Sequence, residues 1–341
     1  MKYFELVPFA FKKFCIMRAF RTGIPTVMHY IKRPALKASD RPALFTMNIM
    51  PPMMTVWYHF VRKNLGDTVD TVIFDCSGTL KKQDFPGAHV QKFLNFYAAT
   101  KTDEFLYHIA QNRKLGWMCD DDMFIISDKC IGHIEKEFAD PNTASLSFRP
   151  RNWWHFDLDG TTYEPSSSYC TVINRTIYCD KEHLNLSPAD GNVNAVSHIG
   201  KEMHRYDTFD QANEVLISKG YRCAIAPEKE RNKLVTGFSG VSSAVMLLWH
   251  FSSAEKFMAY LEAPEDKSWR GNTLYTILSG LLAISSMQEM HETITGSPYH
   301  LRAMPSKTDL NRLVKEKSPL LREGHDFEKT LSVAEQLRKA L

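Results

Sequence analysis

The chain has 341 residues, a formal net charge of +3 and 44% hydrophobic residues. That length holds one large domain or two smaller ones with a full core, and the composition is that of an ordinary globular protein. The near-balanced charge gives no general case for nucleic acid as a partner.

The first 41 residues carry nine Lys or Arg (2, 12, 13, 18, 21, 32, 33, 37 and 41) against Glu5 and Asp40. These cations are interleaved with Phe, Met, Ile and Leu, instead of forming the charged head and apolar core of a signal peptide. Such a segment either lies on an anionic membrane surface or packs on the domain with its basic face in water. Residues 1–42 are therefore set apart as a basic amphipathic N-terminal extension. The expected location is cytoplasmic, peripheral at the inner face of the membrane.

From Arg41 onward the pattern alternates. "ALFTMN" (43–48) reads as a strand stopped by "IMPP", and "MMTVWYHFVRKNLG" (53–66) has helical spacing and a terminal glycine. "DTVIFDCSG" (70–78) is a second strand, "AHVQKFLNF" (88–96) a third, and "AATKTDEFLYHIAQN" (98–112) a helix. "LGWMC" (115–119) is a fourth strand, with Asp120, Asp121 and Asp122 at its carboxyl end. Strands alternating with helices argue for an α/β sheet, in which ligands bind outside the carboxyl ends of the strands. Asp75 and the three aspartates fall there.

Adjacent carboxylates repel unless something positive sits among them. Mg2+ or Mn2+ takes one or two carboxylates plus phosphate oxygens of a substrate. On an extended segment Asp120 and Asp122 would point to one side and Asp121 away. The alternatives are a polar loop and a helix cap; the apolar "MFIIS" that follows disfavours a freely solvated loop.

"VIFDCSGTL" and "LGWMCDDDMFIIS" resemble the two signature regions of GT-A glycosyltransferases, especially the family 2 type. In those enzymes a strand ends in an Asp that contacts the nucleoside, and a later strand ends in a D-x-D that holds a divalent ion on the donor diphosphate. "YDTFDQANEVLISKGYRCAIAP" (206–227) is similar to the family's acidic segment opening a helix, followed by Gly-aromatic and a strand ending in Pro. The usual Glu-Asp pair is absent, leaving Asp207 and Asp210, and no Gln-x-x-Arg-Trp follows, which argues against a processive polysaccharide synthase.

The resemblance implies a Rossmann-like mixed sheet flanked by helices, over residues 43–240, with a helical C-terminal part over 241–341. It implies a nucleotide-sugar donor held by Asn48, Asp75, Ser77, Lys101, Asp120 and Asp121, and Mn2+ or Mg2+ held by Asp120 and Asp122 with His250 completing the shell. Asp210 is the expected general base, with Asp207 second, which implies inversion. The acceptor is a glycan, a lipid-linked or a small-molecule hydroxyl.

"FDLDGTTYE" (156–164) raises a rival, the D-x-D-G-T nucleophile motif of haloacid-dehalogenase-type phosphatases. The residues before it, "RPRNWWH", do not read as the buried strand that nucleophile needs. Asp159-Gly160 reads as a hairpin turn, and the Trp153 and Trp154 beside it, with Arg149, are acceptor-side candidates. A binding module of the GT-A fold without turnover is the non-enzymatic alternative.

The last third reads as helices, one of them over 242–262 with "GFSG" as turn and cap. The longest apolar runs, Val241–Phe251 and Leu274–Ser286, are shorter than the ~20 residues that span a bilayer. Seven cysteines (15, 76, 119, 130, 170, 179 and 223), odd in number and without C-x-x-C spacing, predict reduced, mostly buried thiols in a cytosolic compartment and no zinc site.

Overall fold

The computed structural model describes residues 3–94, 98–151, 154–189, 195–197, 206–263, 272–321 and 327–341. A long first helix, α1 (Tyr3–Lys32), leads into β1 (Ala43–Asn48), α2 (Pro51–Asn64), β2 (Asp70–Asp75), β3 (His89–Lys92), α3 (Ala98–Glu104) and β4 (Leu115–Cys119). Then come β5 (Met123–Ile125), α4 (Lys129–Glu137), β6 (Thr143–Ser147), the hairpin β7 (Trp154–Leu158) and β8 (Thr161–Tyr163), β9 (Cys170–Asn174) and β10 (Ala195–Ser197). The chain continues through α5 (Asp210–Ser218), β11 (Arg222–Ile225), α6 (Glu228–Leu234) and β12 (Val235–Gly237). Among the described residues there follow α7 (Val241–His250), α8 (Ala254–Glu262), α9 (Asn272–Thr295), α10 (Lys307–Lys317) and α11 (Glu328–Ala340).

Seven strands form the main sheet in the order β11-β6-β9-β4-β1-β2-β3. β2, β3 and β4 run parallel with β1, and β11 with β6, while β9 runs antiparallel between β4 and β6. This is the mixed, Rossmann-like sheet, flanked by helices and followed by a helical C-terminal part, that the GT-A resemblance implies. Its central strands are apolar on both faces because helices cover both sides; β4 and β9 are buried at every position. The parallel register sets Asn48 opposite Asp75, so β1 and β2 end side by side.

The expected β1 and β4 match to the residue. The two prolines after β1 do more than stop a strand: Pro51 and Pro52 open α2, where a missing N–H costs nothing. The helix expected over 242–262 is two. Phe251 leaves the helical region at ψ 144°, and the Ser253 side chain accepts the Lys256 N–H to cap α8. Asp159 and Gly160 take positive φ (50° and 75°), the mirror-image turn that joins β7 to β8.

One core cluster runs from Leu6 and Phe14 of α1, through the sheet, to Leu337 of α11. The inner face of α1 is thus part of the main core. None of the seven cysteines is in a disulfide, and five of them are buried. Among the described residues no helix is long and apolar enough to cross a membrane.

Candidate active site

The carboxyl ends of β2, β1 and β4 lie next to one another, and the chain places Asp75, Asn48 and Asp120–Asp122 there in that order. The Asn48 carbonyl accepts from the N–H groups of Cys76 and Ser77 at 2.9 and 3.1 Å, which ties the loop after β2 to β1. Its side-chain Nδ2 donates to Asp121 Oδ2 (3.2 Å) and to the Met50 carbonyl (2.8 Å). Its Oδ1, equally buried, has no hydrogen-bond partner among the described residues. Such an oxygen is open to a hydrogen bond from water or from a ligand.

The three aspartates do not lie on an extended segment. Met123 N–H donates to the Asp120 carbonyl at 3.0 Å, closing a tight turn between β4 and β5, so alternation does not decide where their side chains point. The turn is held at both sides: Asp120 N–H donates to the Tyr169 carbonyl (2.8 Å), and Phe238 N–H to the Asp122 carbonyl (3.0 Å). Gly237 permits the second bond, since a Cβ there would meet the Asp122 carbonyl at 2.6 Å.

The side chains are half-buried and their charges crowd one another. Burial, then the charges of Asp122 and Asp121, push Asp120 well above the usual carboxylate range. Burial and Asp122 push Asp121 up to about 8, against the hydrogen bond from Asn48, and burial takes Asp122 to about 7. Each shift says that the turn would be eased by a cation.

Asp75 is spent on its own loop. Oδ1 accepts from Ser77 Oγ (2.6 Å) and Gly78 N–H (2.8 Å), and Oδ2 from Leu80 N–H (3.0 Å). A carboxylate so engaged is no nucleophile, which removes the phosphatase reading at "FDCSGTL"; at "FDLDG", Asp157 sits on the exposed hairpin. Asn48, Asp75, Ser77 and Lys101 are all buried, and α1 packs on the loop after β2 and on Lys101. Gly78, at φ +69°, would bring a Cβ to 2.9 Å from the Thr22 methyl. Lys101 Nζ donates to the Tyr30 hydroxyl of α1 at 3.0 Å and lies over the Phe93 ring.

On the other side of the aspartates, Arg151 Nε donates to Asp210 Oδ1 at 2.6 Å, and Nη2 to the Thr208 carbonyl. Asp210 Oδ2 accepts the Asp207 N–H at 2.8 Å. Asp210 is thus fully enclosed with both oxygens engaged, a poor position for a base that must reach an acceptor. Asp207, 3.4 Å from Arg151 Nη1, has a side chain 60% exposed. Between them Phe209 holds φ +75°, a left-handed conformation that a bulky side chain adopts only where its surroundings impose it.

A cavity of about 460 Å3 opens beside Met123 and Tyr169, lined also by Arg149, Arg151, Phe238 and Lys329. Arg149 is partly committed, its guanidinium bonded to Asn232 Oδ1 and the Val235 carbonyl. Trp154 pairs with Ser197 in the separate β10-β7-β8 sheet; Trp153 lies outside the described residues. His250 is at the far end of α7, its ring against Phe9 and Phe251 and its carbonyl bonded to Lys13. Among the described residues no three His, Cys, Asp or Glu side chains form a metal-holding group, with His250 or without it. Sequence reasoning missed Tyr169 and Lys329. Tyr169 enters because β9 runs antiparallel to β4, a direction that "CTVIN" does not encode.

No family model matches the chain, and no curated protein matches it. Among solved structures it is similar to the mannosyltransferase PcManGT of Pyrobaculum calidifontis, solved with GDP-Man and Mn2+, at 13% identity and TM-score 0.38, over 97% of each chain. It is similar to TarS 1–349 of S. aureus at 9% identity and TM-score 0.32, over 88% of this chain and 92% of that one. A third is the 4-diphosphocytidyl-2C-methyl-D-erythritol synthase of Anaerococcus prevotii, at 8% identity and TM-score 0.34, over 55% of this chain and 88% of that one. Likenesses this distant carry no function to the chain.

Proposed function

We propose that the chain is a metal-dependent glycosyltransferase that moves a sugar from a nucleotide-diphosphate sugar to an acceptor hydroxyl, with inversion. The observation that carries this is the turn Asp120–Asp122, three carboxylates raised by burial, Asp120 and Asp121 also by their neighbours' charges, beside a buried Asn48 oxygen that has no partner among the described residues. An all-oxygen set of that kind suits Mn2+ or Mg2+ more than a softer ion. Asp120 and Asp122 would hold it; Asn48 and Asp121, bonded to each other, are on the donor side. When bound, the ion supplies positive charge for the leaving diphosphate.

The remaining work falls to the chain's own side chains. Asp207 is the better-placed base for the acceptor hydroxyl, being exposed beside Arg151, while enclosed Asp210 holds the Arg151 guanidinium in position. The cavity lined by Arg149, Arg151 and Lys329 takes the acceptor. Ser77 and Asp75 are buried and α1 packs on the neighbouring Gly78, so a nucleoside reaching them would need this loop or α1 to shift.

A panel of nucleotide sugars, with Mn2+ and with EDTA, tests the reading by thermal shift and by release of nucleoside diphosphate. One donor should raise the melting temperature only with the metal, because a ligand of the folded state stabilises it, and should be turned over. Stabilisation without hydrolysis or transfer would make the chain a binding module. No effect of any donor would sink the reading.

A further inference from the structure

Helix α1 has two faces with different fates. On the inner face Leu6, Ala10, Phe14, Arg18, Thr22 and His29 recur close to one-turn intervals and are buried. This face is fastened: Lys13 Nζ donates to the His250 carbonyl at 2.9 Å, Leu94 N–H to Thr26 Oγ1 at 2.9 Å, and His29 Nε2 meets Glu104 Oε1 at 2.7 Å. On the outer face Phe9, Ile16, Phe20, Ile24, Val27 and Ile31 are between 48% and 92% exposed. Among the described residues nothing covers that row, which follows a helix of 30 residues, ~45 Å long. Single exposed apolar side chains need no explanation, but a continuous row does.

The charge around the row points to its occupant. Lys12, Arg21 and Lys32 stand exposed along it, with Lys37 just beyond. From Leu6 to Ser39 the chain has no Asp or Glu. A second copy of the helix would bring cations against cations with no acid to pair them. A negatively charged lipid surface meets both features, since it takes apolar side chains at the acyl boundary and cations at its phosphates.

We infer that α1 docks the chain on an anionic membrane surface, its outer row in the lipid and its inner face fixed to the protein. Because the inner face lies over the loop after β2, docking turns the carboxyl edge of β1 and β2 toward the bilayer. The inference stands on α1 alone and is independent of what Asp120–Asp122 bind.

Cosedimentation of the full chain with vesicles tests it, in the absence of donor and metal. The chain should pellet with vesicles of equal parts phosphatidylcholine and phosphatidylglycerol, not with phosphatidylcholine alone, and less as salt is added. Phe20→Glu with Ile24→Glu should weaken binding by about tenfold or more with the melting temperature unchanged, since neither side chain belongs to the inner face. Lys12→Glu with Lys32→Glu should weaken it too, leaving the apolar row intact. No pelleting at low salt, or pelleting that ignores both pairs of substitutions, would overturn the inference. So would a dimer that Phe20→Glu splits into monomers without any vesicle binding, which would assign the row to a second copy.

Discussion

Arg151 and Asp210 form an ion pair at 2.6 Å in which neither side chain reaches solvent beyond 1%. Burial opposes the charge of Arg151, and Asp210, Tyr169 and Asp207 together outweigh it and lift the guanidinium pKa. Burial pushes Asp210 up to about 6, with Arg151 pulling the other way. The pair thus fixes a cation between the aspartate turn and the exposed Asp207.

That arrangement separates structure from catalysis. Asp210→Asn leaves the buried guanidinium with only the exposed Asp207 as a counter-charge and should cost on the order of 3 kcal/mol of stability. Asp207→Asn removes an exposed carboxylate; the melting temperature should hold while transfer falls by about 10²-fold or more, the usual scale for a lost base. Thermal melts and turnover per folded molecule check both. If Asp207→Asn keeps full transfer, the inverting assignment goes.

At the turn, Asp120→Asn and Asp122→Asn should each weaken Mn2+-dependent donor binding in titration calorimetry. In EDTA both should melt higher than the parent, because each removes one member of a repelling set. Unchanged metal and donor affinity in both would leave the aspartates a merely local turn.

Much of this geometry was legible in the sequence, and what was not has a physical cause. The ends of β1 and β4 were clear because short apolar runs stop at polar residues, and Asp75 and Asp120–Asp122 followed at the carboxyl edge. The direction of β9 was hidden, since a fully buried strand carries the same apolar run whether parallel or antiparallel. With it went Tyr169 and the way the aspartate turn is held. The Arg151–Asp210 pair joins residues far apart in sequence, and no local pattern predicts such a partner. The break at Phe251 lost to helical periodicity, although Ser252-Ser253 carried the cap signal.

The closeness of α1 to the loop after β2 can be read through glycine. Gly78→Ala must place a Cβ 2.9 Å from the Thr22 methyl and 3.0 Å from Arg21 Cβ, at φ +69°. Gly87→Ala faces the same conformational cost at φ +88° in open space. The left-handed backbone alone costs ~1–2 kcal/mol for a non-glycine residue. Denaturant melts should therefore show Gly78→Ala losing clearly more than Gly87→Ala. Equal losses would mean that α1 does not press on the loop in solution.

The pH dependence of stability should have an unusual sign. Asp121 is pushed up to about 8 and Asp122 to about 7 by burial, and Asp103, beneath Tyr178 and the Leu186 N–H, to about 7. A carboxyl raised in the folded state favours folding while protonated, and that contribution is lost as pH rises through the raised pKa. Metal-free protein should therefore melt higher at about pH 6.5 than at about pH 8.5. Below that window the half-buried histidines His59 and His89, held under their ordinary value chiefly by burial, pull the other way. Mn2+ needs ionised ligands, so the stabilisation it adds should grow from the lower pH to the higher. Asp103→Asn isolates the share that has nothing to do with metal: it should reduce the pH slope in EDTA and leave the increment from Mn2+ as it was. A metal-free protein that melts higher at the alkaline end would show that the aspartate turn is already eased without a cation, and the metal assignment would fall with it.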